Sequence, residues 1–145
     1  MKKLERIEWC DLWVTGANET ALPRLLLVGD SITRSYFSQV EEDLQGVFLC
    51  ARLATSICVS DRSMERELAL LLDRYSFDVI HFNNGLHGWE YCEASYAKGL
   101  ARRLDFITRR SPRSQRLWAH STPIRQKENL AKFDPRNDRV RERNR

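Results

Sequence analysis

Two polar segments of this sequence combine residue types that could act on a carbonyl carbon. Ser31 follows Gly29 and Asp30, and His87 lies in the segment 83–88, which also holds two asparagines and two glycines. A serine hydroxyl can attack an acyl carbon when a base accepts its proton, and N–H groups of amides or imidazoles can stabilise the negative oxygen that forms. The first segment therefore offers a nucleophile and the second offers hydrogen-bond donors.

Each of these segments follows a predicted β-strand. Residues 24–28 form a short apolar run typical of a strand buried on both faces, and the apolar spacing over 33–44 predicts a helix that Gly46 closes. Residues 77–82 form the predicted strand before His87. The other predicted elements are strands over 47–53 and 116–120, and helices over 63–75, 91–110 and from Asn137 onward.

Strands that alternate with helices predict an α/β fold, namely a three-layer α/β/α sandwich with a flavodoxin-like parallel sheet in the order 2-1-3-4. Ligands of such sheets bind beyond the carboxyl ends of the strands, where the strand order reverses. That crevice lies between the first and third predicted strands, beside Ser31 and His87. We expect residues 24–145 to form this domain, and residues 1–23 to be an N-terminal arm that packs Trp9 and Trp13 on it.

Ser31 has two interpretations at the start of its helix. The N-terminus of a helix carries unpaired N–H groups and partial positive charge, which could stabilise an oxyanion next to an attacking hydroxyl. Serine is also a common helix cap, and in that case its hydroxyl only binds the first turn. Short motifs match by chance often enough that Gly29-Asp30-Ser31 alone does not decide between the two.

The surrounding residues resemble a known family. Residues 25–32 (LLLVGDSI) are similar to block I of the SGNH, or GDSL-type, hydrolases, and residues 82–88 (FNNGLHG) look like a variant of their block III. The resemblance extends from Leu25 to Pro123. It implies a cofactor-independent ester hydrolase in which Ser31 is the nucleophile. The resemblance implies an ester of an acetyl or other short acyl group. It also suggests that the alcohol part of this ester is a carbohydrate.

The implied oxyanion hole departs from the family pattern at two positions. His87 stands where block III has asparagine, and its imidazole N–H could take over that role, with Asn84 as a second candidate donor. Ser56 stands where block II supplies a glycine N–H, and its own N–H could serve. The alternative for Ser56 is a polar loop that starts the next helix, and Asn83 could instead satisfy loop backbone.

The family's C-terminal Asp-x-x-His block has no counterpart in the sequence. No histidine follows His120, and the spacing of Asp78 and His81 falls within one predicted strand. We therefore expect a C-terminally incomplete domain. Three alternatives follow: a Ser31–His87 dyad, a non-catalytic binding module, and a nucleotide or phosphate binder. Asp30 disfavours the last, because its carboxylate would repel a phosphate.

Composition narrows the environment and the partners. The net charge of +4 is concentrated in the arginine-rich segment 136–145, which lacks aromatic residues, so we expect a solvated amphipathic helix capped by Asn137 rather than a nucleic-acid tail. The four cysteines have no metal-ligand spacing, and no apolar run could span a bilayer. We expect a cytoplasmic chain with reduced thiols and no metal. The last predicted strand would be an open edge that allows a homodimer.

Overall fold

A five-stranded mixed sheet runs through the computed structural model, which describes residues 4–145. The sheet order is β1-β3-β2-β4-β5, and β1 is antiparallel to β3 while the other neighbours are parallel. The strands are β1 (Cys10–Val14), β2 (Arg24–Gly29), β3 (Leu49–Thr55), β4 (Val79–Phe82) and β5 (Gln115–Trp118). The helices of this part of the chain are α1 (Ser31–Asp43), α2 (Met64–Leu72), α3 (Glu93–Arg110) and α4 (Asn137–Arg143).

The central strand β2 is buried along its whole length, as its apolar sequence predicts. Successive side chains of a strand face opposite sides, so Leu25 and Leu27 pack with Phe37 of α1. Leu26 and Val28 belong to the larger core on the other face, which includes residues of α2 and α3. The predicted α/β class is confirmed, with helices on both faces of the sheet.

The N-terminal arm contains an unpredicted edge strand. In β1, Cys10 pairs with Thr55 of β3, and the carboxylate of Asp11 binds Arg52 at 3.0 Å. The prediction that both tryptophans pack on the domain is wrong for Trp13, which is 56% exposed, whereas Trp9 is half-buried. The sequence of β1 lacks the apolar alternation that predicts a strand, because both of its faces are largely exposed. Main-chain pairing to β3 holds it in place.

The helix α4 has one buried and one exposed face, as an amphipathic helix does. Val140 and Arg143 are buried, while Asp138, Arg141 and Glu142 are exposed. Asn137 is the first helical residue and not the cap, which is Arg136. The side chain of Asn137 instead binds the N–H and the carbonyl of Ile124, at 2.8 and 2.7 Å, and so fastens the preceding loop to α4.

All four cysteines lie in the described part of the chain. Cys50 and Cys58 are buried and Cys10 and Cys92 are exposed, and all four are free thiols. Among the helices of residues 4–145, none has the length and apolar composition needed to cross a bilayer.

Candidate functional site

Ser31 lies where the central strand turns directly into a helix. Gly29 ends β2, Asp30 is the N-cap of α1, and Ser31 is the first helical residue. Only glycine fits at position 29, because a Cβ there would lie 1.9 Å from the hydroxyl oxygen of Thr33. This tight passage sets Ser31 on the first turn of the helix, at the carboxyl edge of the sheet.

The hydroxyl of Ser31 does not cap the helix. The carboxylate of Asp30, which is fully buried, accepts the hydrogen bond from the N–H of Ile32 at 2.9 Å and does the capping. Ser31 is exposed, and within residues 4–145 its hydroxyl has no hydrogen-bond partner. The capping interpretation of Ser31 is therefore wrong, because Asp30 is the cap.

The loop after β4 reaches the same edge of the sheet. β4 pairs with β2, and the N–H of Asn83 continues this pairing by donating to the carbonyl of Val28 at 2.9 Å. The side chain of Asn83 donates to the carbonyl of Ala119 at 2.7 Å. The expectation that Asn83 could satisfy loop backbone is confirmed, and this residue ties the exits of β2, β4 and β5 together.

Asn84 is fully buried and links two loops. Its amide oxygen accepts from the N–H of Val59 and its amide nitrogen donates to the carbonyl of Ile57, both at 3.1 Å. An oxyanion donor must present its N–H to the crevice, whereas this amide faces the loop after β3. In this structure Asn84 holds that loop against the β4 exit.

Ser56 is occupied by the N-terminal segment. Its N–H donates to the carbonyl of Trp9 at 3.1 Å, and its hydroxyl accepts from the N–H of Trp9 at 2.9 Å. The residue is 2% exposed. Ser56 would have to release Trp9 before its N–H could reach a substrate.

His87 carries a carboxylate partner that the sequence does not indicate. Its Nδ1 lies 2.9 Å from Oε1 of Glu5, and the N–H of Gly88 donates to the same oxygen at 3.2 Å. The edge of the imidazole contacts the Trp9 ring, with centroids 6.3 Å apart, and Arg34 of α1 lies over that ring at 4.7 Å. Trp9 thus lies between His87 and the first turns of α1.

The structure brings Ser31 and His87 to the same edge of the sheet without joining them. In the described range no hydrogen bond links the hydroxyl to an imidazole. His81 lies within β4 with its ring against Tyr36 of α1, where burial lowers its pKa, and His120 is exposed beyond β5. Neither of these two histidines is hydrogen-bonded to Ser31 in that range.

A cavity of about 460 Å³ lies beside His87. Glu5 and the segment 86–90 form two of its walls, and Arg136 forms another. Ser31 does not line this cavity. The cavity therefore borders His87 and not Ser31.

Two arginines of α4 hold the loop that carries His87. Arg143 donates to the carbonyls of Gly85 at 3.0 Å, His87 at 2.8 Å and Gly88 at 3.2 Å. Arg139 donates to the carbonyls of Trp89 at 2.8 Å and Tyr91 at 2.6 Å. Sequence reasoning missed both arginines, because their partners lie about fifty residues away and an arginine-rich terminus resembles a solvated one.

No protein-family model and no curated protein sequence matches the chain. A solved structure with a similar fold is that of an active-site mutant of a family two carbohydrate esterase from Clostridium thermocellum, in complex with celluohexase. The two share 12% sequence identity at a TM-score of 0.54, over 83% of this chain and 48% of the other. The chain thus spans about half the length of that protein. At this identity the likeness shows the fold alone: a mixed α/β fold that resembles a carbohydrate esterase.

Proposed function

We propose that this chain carries the nucleophile of an SGNH-type ester hydrolase with the flavodoxin-like layout of that family. Ser31 attacks the acyl carbon of a short-chain ester, such as an acetyl group on a carbohydrate. The resemblance of residues 25–32 and 82–88 to the family's blocks supports this, as does the likeness in fold to a carbohydrate esterase, a protein named for acting on carbohydrates. No cofactor is needed for this reaction.

One observation carries the proposal: Ser31 offers an exposed hydroxyl, free of hydrogen bonds within residues 4–145, on the first turn of α1. The first N–H groups of a helix have no partner within the helix. Asp30 accepts from that of Ile32, so the N–H of Ser31 is the one that would donate to a developing oxyanion. Asp30 takes the capping role and leaves the hydroxyl free. The exit of β4 lies alongside, because β2 and β4 are paired.

The reaction proceeds in two steps with an acyl-enzyme between them. The oxygen of Ser31 forms a bond to the acyl carbon, and its proton passes to a solvent water, since no side chain of residues 4–145 is hydrogen-bonded to the hydroxyl. The bond from the acyl carbon to the alcohol oxygen breaks, and the alcohol leaves with a proton from the solvent. Water then attacks the acyl group, which leaves as a carboxylic acid and restores the hydroxyl. In both steps Nε2–H of His87 donates to the oxyanion, in a ring that also carries a hydrogen on Nδ1, where Glu5 accepts it.

Covalent labelling tests this proposal. The full chain is treated with a fluorophosphonate, and the modified peptide is identified by mass spectrometry. We expect one adduct on Ser31, lost in Ser31→Ala and unchanged in Ser38→Ala, because Ser38 is an exposed serine of the same helix. Absence of an adduct on Ser31, or equal labelling of Ser38, contradicts the proposal.

The alternative is a non-catalytic module that binds an ester or a sugar in the same crevice. One observation favours it. The imidazole of His87 is bound to Glu5, and within the described residues no imidazole is hydrogen-bonded to the hydroxyl of Ser31. Calorimetric binding of an acetylated oligosaccharide, with no labelling of Ser31 and no release of acetate, would support this module.

A further inference from the structure

We propose that Arg143 is a positioning residue: through the main chain of the β4 exit loop it fixes the place of His87 at the edge of the sheet that also carries Ser31. This rests on the proposed function, in which His87 donates to the oxyanion. The helix α4 then belongs to the catalytic apparatus, although it supplies no group that touches the substrate.

The guanidinium of Arg143 is buried and makes its ion pair in the interior of the protein. Its side chain is fully buried, and Glu93 of α3 lies 3.3 Å away as the counter-ion. The guanidinium also lies over the rings of Trp89 and Tyr96, at 4.6 and 4.7 Å. A buried charge is tolerated only when it is paired and hydrogen-bonded, so the guanidinium has one well-satisfied position.

That position fixes the turn on which His87 sits. One guanidinium nitrogen of Arg143 donates to the carbonyls of Gly85 and His87, and the other donates to that of Gly88. Gly88 has a φ of +67°, and a Cβ there would lie 2.4 Å from Cys58, so the turn has little room to adjust. Three carbonyls can converge on one side chain because the guanidinium is a rigid fork of donors.

Lysine cannot reproduce this arrangement. Its ammonium is a compact charge whose donors do not match three separated carbonyls, so Arg143→Lys keeps the charge and frees part of the turn. The buried Arg103 of α3 offers a matched control. Its side chain is also fully buried, and it binds Glu65 at 2.8 Å and the carbonyl of Asp61 at 3.1 Å, whereas no described hydrogen bond joins it to the carbonyls of residues 85–88.

The experiment compares Arg143→Lys with Arg103→Lys in the full chain. The first readout is the fluorophosphonate labelling of Ser31, separated into reagent affinity and rate of bond formation. We expect Arg143→Lys to slow bond formation by about 10²-fold, the effect of a displacement of about 1 Å at a reacting group, with little change in affinity. Arg103→Lys should stay within a few-fold of the wild type.

The second readout is the NMR signal of the His87 ring, assigned with His87→Gln and referenced to the rings of His81 and His120. We expect it to shift in Arg143→Lys and not in Arg103→Lys. Unchanged His87 signals in folded Arg143→Lys, or equal effects of the two lysine variants, overturn the proposal.

The design separates this proposal from the proposed function. If the wild-type chain is not labelled, the esterase proposal fails, while the His87 signals still decide whether Arg143 positions that ring. If Arg143→Lys does not fold, Arg143→Gln decides, because a side-chain amide has two N–H donors and cannot serve all three carbonyls. A folded Arg143→Gln with unshifted His87 signals then counts against positioning.

Discussion

Asp30 and Ser31 divide two tasks at the start of α1. The fully buried carboxylate of Asp30 caps the helix, and the neighbouring hydroxyl is left exposed on the first turn. A serine that capped the helix itself would have its oxygen committed to a backbone N–H. The division explains why the acidic residue before the serine matters to the chemistry, although it does not touch the substrate.

The contact with Glu5 constrains what His87 can do. Oε1 of Glu5 also accepts from the N–H of Gly88, so it is an acceptor for the hydrogen on Nδ1 of His87. A neutral imidazole carries one hydrogen, and Nε2 is then an acceptor. Donation to an oxyanion requires hydrogens on both nitrogens, whereas acceptance of the serine proton requires a bare Nε2. The two roles are therefore distinguishable by substitution.

Asparagine at position 87 separates the oxyanion donor from the base. An amide can donate a hydrogen bond but cannot accept a serine proton, so His87→Asn should stay within about 10-fold of the wild type in the rate of Ser31 labelling. His87→Ala removes the donor and should lose about 10²–10³-fold. The measurement is the second-order rate of fluorophosphonate labelling. His120→Asn is the control, because His120 is exposed beyond β5. Equal losses in both His87 variants would instead favour the Ser31–His87 dyad.

At the scale of elements, the sequence predicts a strand that is buried on both faces. It does not predict a strand whose place depends on contacts with residues far away in the chain. The run 24–28 predicts β2, since a central strand needs apolar residues throughout. The residues Gly29-Asp30 also predict the turn from β2 to α1. β1 has no alternation to read, and its position follows from main-chain pairing with β3, some forty residues away in sequence.

The candidate site was predictable to the same degree. Ser31 and His87 follow strands whose apolar runs mark them, so the topology brings both to one edge of the sheet. Glu5 and Arg143 could not be found in this way, because a charge in a polar segment gives no sign of its partner. Ser56 and Asn84 show the converse, since polar loop residues that look available are satisfied by distant backbone.

Glu93 joins α3 to α4, and its titration should be visible in the stability of the protein. Burial by itself raises the pKa of the Glu93 carboxyl. The hydrogen bond and charge of Arg139, with the charge of Arg143, outweigh burial and lower the pKa below its ordinary 4.5. A carboxyl whose pKa is lower in the folded than in the unfolded chain stabilises the fold above its unfolded value, and the contribution is lost as the pH falls through the folded value.

Glu93→Gln should therefore lower the free energy of unfolding at neutral pH, and the difference from the wild type should shrink as the pH falls below about 4.5. Urea unfolding followed by circular dichroism at a series of pH values checks this. Glu42→Gln is the control, because Glu42 is an exposed residue of α1. A difference that stays constant with pH would mean that Glu93 acts through packing rather than charge.

At the scale of the whole molecule, segments far apart in the chain meet at one loop. Glu5 binds His87 from near the N-terminus, across 82 residues, and Arg143 binds the same turn from α4, across 56. Asn84 adds the loop after β3. The carboxyl edge of the sheet is thus held by long-range polar contacts around a central apolar strand. Substitution of Glu5 or of Arg143 should therefore change the surroundings of His87.

The strand β5 forms one edge of the sheet. Within residues 4–145, β5 pairs with β4 alone, and Leu117 on it is 53% exposed. An unpaired strand edge presents free N–H and carbonyl groups to a second chain, and Arg116 is the charge on β5 that opposes such pairing. Because an apolar side chain on an open edge favours association, we expect concentration-dependent dimers in light scattering.

Leu117→Lys should shift the protein to monomers by adding a second positive charge to β5. Leu70→Lys, a matched change at a 59% exposed leucine of α2, should leave the dimers intact. A wild-type chain that stays monomeric at every concentration, or equal effects of the two substitutions, would show that the edge of β5 does not mediate association.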